Sequence, residues 1–181
     1  MKVQLPPGRS QYLRIQTGDE QALVHGTANI VGDVEIGHNT RIDGLVTITG
    51  KVRIGRNCHI GTGVCIYGSE GVVIGDHCAL SAGVKVFTMS IDPDDELLAL
   101  HAGSLLDRGR GISGAVRIGN YTTIGANSVI LPGARVGDEV VVGALSVVRG
   151  VLRSAGVYIG PSRLLRMRKR LRYGRRVERT A

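Results

Sequence analysis

Proton transfer near neutral pH falls first to histidine, and this chain has five: His25, His38, His59, His77 and His101. A run of carboxylates, Asp92, Asp94, Asp95 and Glu96, with Asp107, Arg108 and Arg110 further on, adds groups able to orient a base or bind a hydroxyl-rich molecule. Anion-holding side chains are concentrated elsewhere. From Arg163 onward stand Arg163, Arg166, Arg168, Lys169, Arg170, Arg172, Arg175, Arg176 and Arg179 against Glu178, so the tail alone accounts for the net charge of +8. Arginine offers a planar fork that suits phosphate. Cys58, Cys65 and Cys78 are odd in number and lack a metal-ligand pattern. They read as buried thiols, and no metal is expected.

The elements that must position these groups announce themselves by period. Aliphatic residues recur every six places as Val24, Ile30, Ile36, Ile42, Ile48, Ile54, Ile60 and Ile66. After a two-residue slip at Ser69 and Glu70 they resume as Ile74, Leu80 and Val86, and later as Ile118, Ile124, Ile130, Val136, Val142 and Val148. Four places beyond each opener the residue is small or β-branched, as at Thr40, Cys58, Cys78, Thr122, Ser128 and Ser146. Six is neither the helical period nor that of an exposed strand, and a β-sandwich would place turn clusters at wider spacing. Short strands separated by corners build a solenoid: three strands per triangular coil, openers inward, residues eighteen apart stacked at about 4.8 Å. The 17 hexads make five to six coils. With no Trp and Phe87 as the one Phe, the composition suits a prism too narrow for large rings.

About 26 residues between Val86 and Val116 interrupt the coils, and excursions of that length are usually functional. The expected organisation is a solenoid domain over residues 1–161, with an excursion loop at about 90–115, and a basic tail over 162–181. Leu164, Met167 and Leu171 recur at three and four, which predicts a short C-terminal helix. Such a basic segment can hold cofactor phosphates, lie on an anionic membrane or stay solvated. Nucleic acid is not an expected partner, for want of a binding module and stacking aromatics. No apolar run approaches a membrane span, and the segment Met1–Gln11 lacks an apolar signal core, so a cytoplasmic protein is expected.

Between Ile30 and Lys169 the chain resembles the hexapeptide-repeat acyltransferases, left-handed parallel β-helix enzymes that move an acyl group from a coenzyme A thioester to a hydroxyl or amine. The stretch from Val116 to Gly137, continued by Val142-Gly143-Ala144-Leu145-Ser146, looks like the family's cofactor-binding coils. Left-handedness comes from the resemblance alone. It also implies a homotrimer with active sites between prisms, acetyl-coenzyme A as donor and a sugar, nucleotide sugar or polysaccharide intermediate as acceptor. Main-chain amides would polarise the thioester carbonyl. Ala126 and Ala144 match small residues along the pantetheine, and Arg163 and Arg166 match basic residues that meet the nucleotide phosphates.

Two positions depart from the maltose and galactoside acetyltransferase branch. Ile91 stands where that branch has its basic His, and Gly61 where it has an acceptor-binding Asn. Arg56-Asn57-Cys58-His59-Ile60 and Ser90-Ile91-Asp92 look closer to a surface-polysaccharide and nucleotide-sugar branch. His59 should point outward from its strand and is the first choice for general base, with His101 second. Asp92 and Asp94 are the candidate orienting or substrate-binding carboxylates, beside the substrate position Gly61. His25, His38 and His77 read as structural. A catalytically silent trimeric scaffold is the principal alternative. A γ-class carbonic anhydrase is disfavoured, because no two histidines here stand five apart.

Overall fold

The computed structural model describes residues 12–17, 20–91 and 111–167. The chain winds as a left-handed parallel β-helix of triangular coils. One face stacks Glu20–His25, Arg41–Ile42, His59–Ile60, Ala79–Leu80, Thr123–Ile124, Val141–Val142 and Gly156–Ile159, each parallel to the next. The other two faces merge into one sheet, because Asn29–Ile36, Thr47–Ile54 and Cys65–Ile74 run through the corner between them. At that corner Gly50 has φ +92°, and a Cβ there would run into the backbone of Gly68, so the through-going strand requires glycine.

The aliphatic period has its expected consequence. Val24 and every opener from Ile42 to Val148 are buried, at 4% exposure or less, and form one column along the axis. Ile30 and Ile36, in the first coil, are half-buried. The small residues four places on turn the tight corner, and the polar ones among them are satisfied inside it. Thr40 Oγ1 donates to the Gly55 carbonyl at 2.8 Å, Cys58 Sγ to Gly75 at 3.1 Å, Cys78 Sγ to Gly119 at 3.0 Å and Thr122 Oγ1 to Gly137 at 3.0 Å. Just before these corner residues Asn39, Asn57, His77 and Tyr121 adopt φ of 52–57°. The His77 ring stacks on Tyr121 with centroids 4.8 Å apart, a structural role for that histidine.

Cys58 and Cys78 are buried, whereas Cys65, on an outward strand position, is half-exposed and departs from the expectation of three buried thiols. Its hexad position is opener minus one, which faces solvent. Hydrogen bonding with Cys58 and burial push the Cys78 thiol well above the ordinary range. A thiol reagent is therefore expected to label one site in the native protein and three after denaturation, counted by mass spectrometry. Labelling of all three under native conditions would contradict this packing.

The interruptions have local causes. Thr88, fully buried, holds the slip in place: its hydroxyl donates to Tyr67 O at 2.8 Å and accepts the Glu70 amide at 3.1 Å, with Ser69 Oγ at 3.2 Å. The long excursion leaves and returns through an antiparallel ribbon, Met89–Ile91 against Gly111–Ser113, which the hexad pattern does not reveal. The other end of the prism corrects two expectations. Leu152 follows Val148 by four residues and closes the last full coil, and Tyr158 then packs at 5% exposure with its hydroxyl bonded to Arg153. A large ring fits there because the column ends. Arg163–Met167 is a strand antiparallel to Gly156–Ile159, not the start of a helix, since the last coil offers backbone groups that a further strand satisfies. Leu171 and the rest of the tail lie outside the described residues. Among those described, no helix is long and apolar enough to cross a membrane.

Candidate active site

His59 opens its short strand from the outward position, as its hexad place requires, and its side chain is 52% exposed. It does not stand alone. Asp43, from the coil before, accepts a hydrogen bond from His59 Nε2 at 2.8 Å, and its other oxygen accepts from Arg41 Nε at 2.7 Å. The Asp43 carboxylate is only 12% exposed, so it is held between two donors against a largely buried wall. An ionised carboxylate only accepts, which places the imidazole proton on Nε2 and leaves Nδ1 as the basic nitrogen. Among the described residues Nδ1 carries no hydrogen bond. A half-exposed imidazole with a fixed tautomer and an oriented partner is equipped to take a proton from a nucleophile.

Register then defines what lies beside it. Directly below His59 come Ala79, Thr123, Val141, Val157 and finally Arg166. Two residues further along the same strands a parallel column runs Gly61, Ser81, Gly125, Gly143 and Ile159 to Arg163. No large polar side chain interrupts either column, and Ala126 and Ala144 flank the second at the corner. Five inter-strand steps of about 4.8 Å separate His59 from Arg166, roughly 24 Å along the face. The track thus joins a candidate base at one end to two arginines at the other.

Gly61 sits beside Asp43 in the stack, where a Cβ would come within 2.9 Å of the Ala82 nitrogen and 3.0 Å of the Leu80 oxygen, so close coil packing requires this glycine. The expected main-chain oxyanion donors are not free on this face. The amides of His59, Gly61, Ala79, Ser81, Thr123 and Gly125 each donate to a carbonyl of the next coil. Asp92, Asp94 and His101 lie outside the described residues, while Ile91 ends the ribbon opposite Gly111. His25 bonds Thr27 Oγ1 at 2.8 Å. Sequence reasoning missed Asp43 and Arg41. The signal was present in the stacking rule, since Arg41 stands eighteen residues before His59 and Asp43 two beyond Arg41.

The His59 side chain is half-exposed, while the Asp43 carboxylate behind it is largely covered. A cavity of about 260 Å³ opens elsewhere, at an early corner lined by Asp33, Glu35, Lys51, Arg53 and Val73. There Arg53 grips Glu35 with two hydrogen bonds, at 2.7 and 3.1 Å, and holds its carboxyl below the usual range. Among the described residues no group of three His, Cys, Asp or Glu side chains is placed to hold a metal ion.

A hexad solenoid with a candidate proton acceptor beside a column of small residues fits the transferases of the bacterial hexapeptide type. The matching family models are the six-repeat bacterial transferase hexapeptide, over residues 33–68 and 115–150, and the hexapeptide repeat of succinyl-transferase, over 51–87. The chain belongs to this hexapeptide-repeat family and is a coenzyme A-dependent acyltransferase. It is similar to AntD, an N-acyltransferase from Bacillus cereus. An Asp-to-Ala variant of that enzyme, in complex with dTDP and coenzyme A, is 31% identical over 82% of both chains, with a TM-score of 0.74. AntD with dTDP and 3-hydroxybutyryl-CoA is 29% identical over 82% of this chain and 81% of that one, with a TM-score of 0.73. The acetyltransferase domain of PglB from Neisseria gonorrhoeae, in complex with acetyl coenzyme A, shares the fold at 16% identity. It covers 80% of this chain and 57% of its own, with a TM-score of 0.60. No curated protein sequence matches the chain.

Proposed function

We propose that the enzyme transfers a short acyl group, acetyl in the simplest case, from coenzyme A to the amine of a sugar carried on a nucleoside diphosphate. The observation that carries this reading is the track from His59 to Arg163 and Arg166, in a chain about three-tenths identical to an enzyme bound to coenzyme A and dTDP. Pantetheine would lie over Ala79, Thr123, Gly125, Gly143, Ala126 and Ala144, where a bulky side chain would block it. Arg163 and Arg166 would take the nucleotide phosphates. His59 is half-exposed in a single prism, and the working unit is read as a homotrimer whose neighbouring copy would close a groove over it.

His59 Nδ1 removes the proton from the acceptor nitrogen as it attacks the thioester carbonyl. Asp43 stabilises the imidazolium that forms, and the proton leaves with the coenzyme A thiol or to water. The carbon–sulfur bond breaks as the carbon–nitrogen bond forms. A panel of nucleotide-linked amino sugars, nucleotide sugars and free sugars with acetyl-coenzyme A, read by mass spectrometry, tests the acceptor class. An acylated nucleotide-linked amino sugar is expected, and a product formed only from free sugars would overturn the reading. The double substitution Arg163→Ala with Arg166→Ala should raise the donor KM by roughly tenfold to a hundredfold with kcat little changed, the scale of lost charge-assisted hydrogen bonds.

A further inference from the structure

Exposed aliphatic side chains stand at both ends of this prism, Val31 and Leu45 in the early coils and a larger group at the C-terminal end. Leu145 at 76% and Val151 at 71% are the most exposed large aliphatic side chains among the described residues, and both belong to the last coil. Beyond them every residue of Arg163–Met167 is exposed, Leu164, Leu165 and Met167 among them. Hydrogen bonds tie these residues into one end face. Ser162 Oγ accepts the Arg149 amide at 2.9 Å, and the Tyr158 hydroxyl accepts the Arg153 amide at 2.7 Å. Leu164 pairs with Tyr158, which points into the column, so Leu164 faces the prism's end, beyond which no further strand stacks among the described residues.

Charge follows the same axis. Residues 20–91 hold six carboxylates and five cations, whereas residues 111–167 hold six arginines against Asp138 and Glu139. The sequence beyond Met167 adds seven cations and Glu178. We propose that this C-terminal end face, centred on Val151, Leu164 and Met167 with Arg149 and Arg153 at its rim, docks the enzyme on an anionic lipid surface. Aliphatic side chains entering the headgroup boundary, with arginines meeting lipid phosphates around them, are the two components of such binding. The chain's own tail is a poor cover, because it would lay cations on a face already positive. A second copy meeting end to end would do the same. Nucleic acid would call for stacking aromatics, and the exposed side chains here are aliphatic.

Co-sedimentation of the full chain with vesicles tests this independently of acyl transfer. Phosphatidylcholine vesicles with about a third phosphatidylglycerol should bind at least about tenfold more tightly than phosphatidylcholine alone, and less as salt rises. Val151→Glu and, separately, Arg149→Glu should each weaken binding about tenfold while leaving solution acyl transfer and thermal melting unchanged, since both side chains are exposed and off the donor track. Equal binding to both vesicles, or no binding, overturns the proposal. So does binding by Val151→Glu as tight as the parent's, which would assign the attraction to the tail alone. A concentration-dependent doubling of mass in sedimentation, lost in Val151→Glu, would assign the face to a second copy instead.

Discussion

His59→Ala is expected to lower kcat by about a hundredfold or more, the lower bound for loss of a positioned general base. Donor KM should stay within about threefold, because the proposed pantetheine track begins one coil further on, at Ala79. Steady-state kinetics with titration of free coenzyme A separates the two effects. In the proposed mechanism Asp43 acts through His59, so its substitution should show a different pattern. In Asp43→Asn the amide can present its NH₂ to Nε2, which favours the other tautomer and puts the proton on Nδ1, where the acceptor needs a lone pair. A fall in kcat of about tenfold or more, with unchanged KM for both substrates, is expected, and Asp43→Glu should restore part of it. A change below about threefold in His59→Ala would remove the dyad from the chemistry and return the question to the excursion loop, where His101 and Asp92 stand in sequence.

Legibility differed sharply between the fold and this site. The openers could be read because one physical demand, filling a narrow prism with aliphatic side chains, repeats at a fixed interval and excludes other periods. The same arithmetic placed His59 outward and the corner thiols Cys58 and Cys78 inward. It failed where the demand changes. At the prism's end the interval drops to four between Val148 and Leu152, and a ring replaces an aliphatic residue at Tyr158. Arg163–Met167 reads equally as helix or strand by apolar spacing, and the unpaired edge of the last coil decides it. Asp43 was overlooked for another reason. Carboxylates cluster in the sequence of the excursion loop, whereas the contact with His59 joins residues sixteen apart in different coils. A pair of stacked positions, and not a local motif, carries it.

Ile124→Ala should cost about 2–5 kcal/mol of unfolding free energy, the usual range for truncating a large aliphatic side chain in a packed core. Ile124 is 0% exposed and stacks between Leu80 and Val142, so the lost methylenes leave a void that neighbours on a closed triangular coil have little room to fill. Ile124→Val should cost only about 0.5–1.5 kcal/mol, and Thr123→Ala, on the outward side of the same strand, within about 0.5 kcal/mol. Each coil touches mainly its neighbours, so the damage should stay local. Amide exchange should quicken first at Ala79–Leu80, Thr123–Ile124 and Val141–Val142, while the coils around Ile48 remain protected. Those strands also carry the middle of the proposed donor track, so coenzyme A added to the variant should slow exchange there more than in the first coils. Denaturant titration and hydrogen exchange, with and without coenzyme A, read both effects. A loss below about 1 kcal/mol, or uniform exchange along the whole prism, would mean that the column is not the stacked core from which the face and its dyad take their geometry.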